Sequence, residues 1–191
     1  MPFSPTNIGN RVLEETFKAG PSTGILPWRV VILDNVATVP YGTGGYAPVK
    51  HPSTTFTNGE KTLGVAVGPE PQLVTAASDG LAPASAWAAF SAIAQNRSVN
   101  VRLMGTVPIL CDNTTDSTQI NAGDFVRIST STTTSISSQT VTMAGTVAKA
   151  AMTTNNVVDA SQHVVGVAFS RVAPSADSAI FVMTKLQPAE Y

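Results

Sequence analysis

Chemistry at neutral pH would have to begin with very few side chains in this sequence. It holds two histidines, His51 and His163, and one thiol, Cys111. A hydrolytic triad needs its histidine, nucleophile and carboxylate to meet in space, whatever their order along the chain. No Gly-x-Ser-x-Gly elbow accompanies either histidine, neither has a second histidine at metal-ligand spacing, and Cys111 has no second thiolate beside it. Each histidine is therefore expected as a surface or interface residue, and Cys111, in "PILCD", as a small buried apolar one. The stretch "CDNTTDSTQINAGD" offers Asp112, Asp116 and Asp124. It lacks the alternating oxygen ligands and closing bidentate carboxylate of a calcium loop, and reads as a turn-rich connector. "YGTGGY" (41–46) resembles a phosphate loop at a glance, but no Lys-Ser/Thr pair or helix follows it, so a hairpin turn is expected. The twelve acidic residues lie mostly in turns, with no pair placed for acid–base work. No catalytic, cofactor-binding or metal-binding residue is therefore expected, and no enzyme.

The elements carrying these residues are written in an unusual palette. Only 12% of the 191 residues are charged, about half the ordinary share. Thr, Ser, Ala and Gly take their place, as on β-rich surfaces and on surfaces covered by other chains. A net charge of −1 gives no basic footprint for nucleic acid. No apolar run approaches the roughly 20 residues that span a bilayer, so no membrane contact is expected. "MPFSPTNIGN" lacks the basic start and apolar stretch of a signal peptide, so synthesis and use in a cytoplasm are expected. The sequons at Asn96 and Asn113 then carry no meaning.

"KTLGVAVG" (61–68) and "HVVGVAFS" (163–170) are nearly the same octapeptide, and their surroundings correspond. "WRVVILDN", a glycine-bearing turn and "GYAPVK" precede the first, and "SVNVRLMGTVP" follows it. "GDFVRISTS", a Ser/Thr run and "GTVAKAA" precede the second, and "AIFVMTKLQP" follows. Gly45 to Gly64 and Gly145 to Gly166 are nearly equal spacings. This order predicts a tandem duplication of a β unit, roughly 25–110 and 120–188. Alternation places Leu63, Val65 and Val67 on one face, matched by Val165, Val167 and Phe169. Gly64 with Ala66, and Gly166 with Ala168, take the other face. Glycine inside a strand points to a close backbone crossing or a sharp bend. Val99, Val101 and Leu103 oppose Asn100 and Arg102, and Val126 and Ile128 oppose Arg127 and Ser129. The expected fold class is mainly β, with small barrel or sandwich units in tandem, an N-terminal arm and one inserted helix. The Thr/Ser run 129–142 is expected as an exposed hairpin.

Two segments depart from the β pattern. In "NRVLEETFKAGP" Asn10 is placed to cap a short helix, Glu14 and Lys18 pair at i,i+4, and Gly20-Pro21 ends it. This reads as part of an arm, 1–28. "GLAPASAWAAFSAIAQN" reads as a helix inserted at about 80–96 in a first β unit, 29–110, with the second unit at 111–191. Trp87, Phe90 and Ile93 form one stripe, and the rest of the helix carries no charge, so cover by its own sheet and by another chain is expected.

The phrases "GTVPILCDNTTDSTQINAGDFVRIS", "GTVAKAA" and "VVGVAFS" resemble capsid decoration proteins of tailed bacteriophages, also called cement or head-stabilising proteins. The resemblance rests on Gly123-Asp124 introducing a strand and on Gly166-Val167-Ala168, echoed by Gly64-Val65-Ala66. It covers about 105–187 well and 29–104 more loosely, and leaves out 1–28 and 80–96. It implies a non-enzymatic virion protein on the capsid exterior, commonly a homotrimer at three-fold or quasi-three-fold positions. Such a protein bridges neighbouring copies of the major capsid protein and stabilises the head against internal pressure. The expected oligomer or capsid contacts are Trp87, Phe90 and Ile93, then Leu13, Phe17 and Trp28 as a strap to a neighbour. One rival is a glycan- or receptor-binding β module of a phage tail or fibre, using Tyr41 and Tyr46; another is an enzyme on a small β-barrel.

Overall fold

The structure, a computed structural model, describes residues 12–20, 24–34, 48–53, 62–68, 92–112, 119–130, 133–136, 139–142, 144–152, 163–172 and 181–186. Among these residues the fold is all β and contains no helix. The strands are β1 (Leu13–Lys18), β2 (Val30–Leu33), β3 (Val49–Lys50), β4 (Thr62–Val67), β5 (Ser98–Leu110) and β6 (Phe125–Ile128). They continue with β7 (Thr133–Ile136), β8 (Gln139–Thr142), β9 (Val147–Lys149), β10 (Val164–Ala168) and β11 (Phe181–Leu186). One antiparallel sheet runs β3-β2-β4-β5-β11-β10-β6-β9 and curls into a half-barrel, with β1 added against β5. β7 and β8 pair as the hairpin expected from the Thr/Ser run.

The pairings of the first strands recur in the last ones. β2 pairs with β4 as Val30–Val65 and Val31–Gly64, then slips so that Ile32 faces Thr62. β6 pairs with β10 as Phe125–Val167 and Val126–Gly166, then slips so that Arg127 faces Val164. Val65–Arg102 and Ala66–Val101 join β4 to β5, as Val167–Lys185 and Ala168–Thr184 join β10 to β11. Leu33 faces Val49, and Ile128 faces Val147. Even isolated bridges repeat: Ala19 lies parallel to Val49 and Cys111 to Val147, while Ile25 faces Ile93 and Ile120 faces Val172. The place of Val147 is thus taken by Val49, whereas the expected counterpart of Gly145, Gly45, lies outside the described residues.

β5 serves twice. Its first half pairs with β1, Phe17 opposite Val99, and its second half pairs with β11, Ile109 opposite Val182. The change of partner falls at Gly105, whose φ of 104° bends the strand where a side chain would be strained.

Two apolar clusters fill the interior. One gathers Phe17, Ala19, Ile25, Val31, Val49, Ala66, Val99 and Val101. The other contains Ile109, Cys111, Ile120, Val126, Val147, Ala168 and Val182, which hold the corresponding positions, and adds Trp28, Val30 and Val65.

Two expectations need correction, and a third can be followed only at its end. Residues 13–18 are a strand of the sheet, not a helix in an arm. The i,i+4 pairing of Glu14 with Lys18 yields to pairing with β5, where Phe17 becomes 6% exposed and Glu14 meets Arg102. The inserted helix falls mostly outside the described residues. Its described end, 92–96, is a bridge at Ile93 and a turn in which Asn96 has a φ of 62°. Finally, Leu63 does not share a face with Val65. The register slip beside it places Leu63 against the cluster that holds Ala66, while Val65 joins the other cluster, as a β-bulge permits.

Candidate functional site

The two glycines repeated inside strands sit where another backbone crosses. A Cβ on Gly64 would strike the Arg102 carbonyl, and one on Gly166 the Lys185 carbonyl. Both glycines stand beside the register slip, in the pairing with β2 and with β6, at the same place in β4 and β10.

The polar side chains with chemical potential are spent on holding strands. His51 is no surface residue: its Nε2 accepts from the Leu26 N–H at 2.8 Å and its Nδ1 lies 3.0 Å from the Val30 carbonyl. That pattern fixes a neutral ring with the proton on Nδ1, leaving neither nitrogen for a metal or a substrate. Burial lowers its pKa from 6.5 to about 4, opposed by the Val30 carbonyl and reinforced by Arg29. Arg29 is buried as well, and its guanidinium donates to the Ala144 carbonyl at 3.1 Å. Burial lowers it to about 10, which leaves it charged at neutral pH. At the positions corresponding to Arg29 and His51 stand Asp124 and Lys149, joined at 2.8 Å. Burial raises the Asp124 carboxyl, but Lys149 and the Asn121 N–H outweigh it and hold the group below its ordinary value.

A second correspondence concerns buried carboxylates. Gly20 and Asp112 hold equivalent places, donating their backbone N–H to Val49 and Val147. Asp34 and Ser129 are likewise equivalent, donating to Pro48 and Thr146. Asp34 reaches Lys50 at 3.5 Å, and its carboxylate fills the space that a side chain at Gly20 would need. In the other half Asp112 carries the carboxylate and the Ser129 hydroxyl donates to it. Each half buries one acid at this spot, supplied from opposite strands. Asp112 and Asp124 are thus engaged with different partners, and Asp116 lies outside the described residues. Among the described residues no group of three His, Cys, Asp or Glu could hold a metal ion. Cys111 is fully buried in the apolar cluster, as its sequence context predicts.

The structure separates the residues expected at an interface. Trp87 and Phe90 lie outside the described residues, as do Tyr41 and Tyr46. Ile93 is half-buried and exchanges two backbone hydrogen bonds with Ile25. Phe17 and Trp28, at 6% and 5% exposure, are buried within the chain itself, so their side chains offer little to a neighbour. Leu13 is exposed, opposite an exposed Met104 and next to exposed Val12. The sequence reading also missed an outer surface. Phe169, expected on one face with Val165 and Val167, is 56% exposed, with exposed Met183 in the adjoining strand, while Val165 is buried. The register slip at Val165 was not legible, and it is what turns this face outward.

Comparison with known proteins finds no family model that matches the chain and no curated protein that matches it.

Proposed function

We propose that this chain is a structural virion protein that binds the outside of an assembled phage head and cements neighbouring major capsid proteins. In this reading it is no enzyme, takes no cofactor and acts as a homotrimer at three-fold or quasi-three-fold positions. It also consists of two closed β units produced by internal duplication. The first unit ends, and the second begins, in the middle of β5, and the parallel bridges at Ala19–Val49 and Cys111–Val147 close the two barrels.

The observation that carries the reading is how the chain divides its polar and apolar groups. The buried Arg29, Asp34 and Asp112, with His51 beside them, bond to backbone or to other side chains of the chain itself. The exposed large apolar residues among those described include Leu13, Met104, Phe169 and Met183. A chain whose few buried polar groups are engaged with its own backbone and side chains, and whose described surface keeps several large apolar side chains open, suits adhesion over bond-making. The motifs behind the resemblance fit as well. Gly123-Asp124 forms the turn into β6, and Gly166-Val167-Ala168 and Gly64-Val65-Ala66 hold matching places in β10 and β4. Trp87 and Phe90 remain proposed oligomer or capsid anchors, and Leu13 is a further one. An oligomer touching several subunits gains through effective concentration, even where one contact is weak.

Electron microscopy of heads assembled with and without the chain tests this. Added density at fixed lattice points is the expected result, with reduced occupancy for Trp87→Ala. Bare heads, together with binding of the isolated protein to glycans or host cells, would replace this reading with the receptor-binding one.

A further inference from the structure

Equivalent outer faces of the two halves differ in what covers them. Val30 and Val65 point away from their own interior, since Val31 and Ala66 point into it, and they form a face with Trp28. All three are nevertheless buried, because they belong to the apolar cluster of the second half. The cover is the end of that half where β5 finishes and β9 begins. Leu110 donates its N–H to the Trp28 carbonyl at 3.0 Å, and Val30 donates to the Gly145 carbonyl at 2.8 Å. Ile128 and Phe181, at the same end, belong to the same cluster.

On the second half the positions of Val30, Val65 and Val67 are held by Phe125, Val167 and Phe169. Phe125 and Val167 are only half-buried, and Phe169 stands open. On the first half, the places of Leu110 and Ile128 are held by Lys18 and Leu33, both exposed. The chain therefore joins one outer face to one barrel end internally, and keeps an unused copy of each.

We propose that the Phe125–Val167–Phe169 face of one copy docks on the Leu33 end of the first half of a second copy, head to tail. The contact repeats between chains the join already made within one. It rests on the duplicated-unit reading above and names the surface by which the oligomer forms. A contact of this heterologous kind uses two different patches, so each copy engages two neighbours, and the homotrimer proposed above requires its rotation to close into a ring.

The test uses the full chain in solution, with mass measured by sedimentation velocity. The wild type is expected as an oligomer. Phe169→Lys and Leu33→Lys, both at exposed positions, should each weaken self-association at least tenfold while leaving the circular dichroism spectrum unchanged. Lysine is chosen because Lys18 already stands at the receiving end. A chain carrying both Phe169→Cys and Leu33→Cys should cross-link between copies on oxidation, and one carrying Phe169→Cys alone should not. A monomeric wild type, an unchanged mass for Phe169→Lys, or cross-linking by Phe169→Cys alone would each overturn the proposal. Rings that leave heads bare would defeat the cementing function and spare this contact. Heads decorated by isolated monomers would do the reverse.

Discussion

His51 makes stability depend on pH in a window where few other groups titrate. Its pKa stands at about 4 in the folded chain against 6.5 when exposed. The unfolded chain therefore binds more protons between those values, and stability falls as pH drops through the window. The contribution is fully present above about pH 6.5 and is exhausted below about pH 4. Two and a half units correspond to about 3 kcal/mol over the whole range, of which roughly 2 kcal/mol is lost between pH 7.5 and pH 5. With a urea m value of about 2 kcal/mol/M for a chain of this size, the midpoint should fall by about 1 M over that interval. Stopping at pH 5 stays above the range in which Asp124, held low by Lys149 and the Asn121 N–H, takes up a proton. The assay is a set of urea titrations at several pH values on the wild type, His51→Gln and His163→Gln. His51→Gln should be less stable at pH 7.5 and should lose most of the slope, because its amide cannot charge. His163→Gln is the control for removing the other imidazole. A wild-type midpoint that stays level from pH 7.5 to 5, or a His51→Gln variant as pH-dependent as the wild type, would refute the bonding pattern assigned to this ring.

Gly64→Ala and Gly166→Ala should each cost about 1–3 kcal/mol, or somewhat more, since a carbonyl of the next strand occupies the space. Thermal melts of the two variants should shift alike, and a neutral effect at either would contradict the shared register. Phe17→Ala should cost about 3–4 kcal/mol by denaturant titration, the loss expected of a buried aromatic in a core. A cost near zero would return residues 13–18 to an arm. Arg102→Met removes hydrogen bonds to Glu14 and to the Thr106 carbonyl. Both charged groups are partly exposed, so less than about 1 kcal/mol should be lost, with a smaller loss at high salt.

Much of the sheet was legible because alternation reports burial directly. Val99 and Val101 are buried while Asn100 is exposed, and Val126 and Ile128 are buried as their spacing requires. The recurring glycines announced a close backbone, and the two carbonyls beside them are that backbone. What stayed hidden depends on partners far away in sequence. "LEETFK" carries a helical i,i+4 pair, and nothing local reveals that Arg102, 88 residues on, will bond Glu14. The register slips at Leu63 and Val165 leave no mark in composition, yet they decide that Ala66 and Ala168 face inward and Phe169 outward. His51 was read as a surface or interface residue because its acceptor, its donor and Arg29 all approach only in the folded chain.

If the two halves descend from one unit, their differences should gather wherever they no longer do the same job. The interior positions agree closely: Val31 with Val126, Val49 with Val147, Gly64 with Gly166, Ala66 with Ala168 and Val99 with Val182. The contrasts fall at the join. Trp28 is buried there with a φ of 59°, a conformation costly for a non-glycine residue, whereas its counterpart Gly123 opens onto empty space. Arg29 reaches the other half through Ala144, whereas Asp124 in its place turns to Lys149. Phe181 packs into the shared cluster, whereas Ser98 at the equivalent end of the first half is exposed. Pairing within a unit needs the same residues in both copies, because each strand must still meet the same neighbours. The join needs them only once, which frees the other copy of each patch to be rebuilt for a different surface. Lys18 and Ser98 are more polar than Leu110 and Phe181, so a contact there should be weaker than the internal one and should tighten when further contacts hold the chains in register.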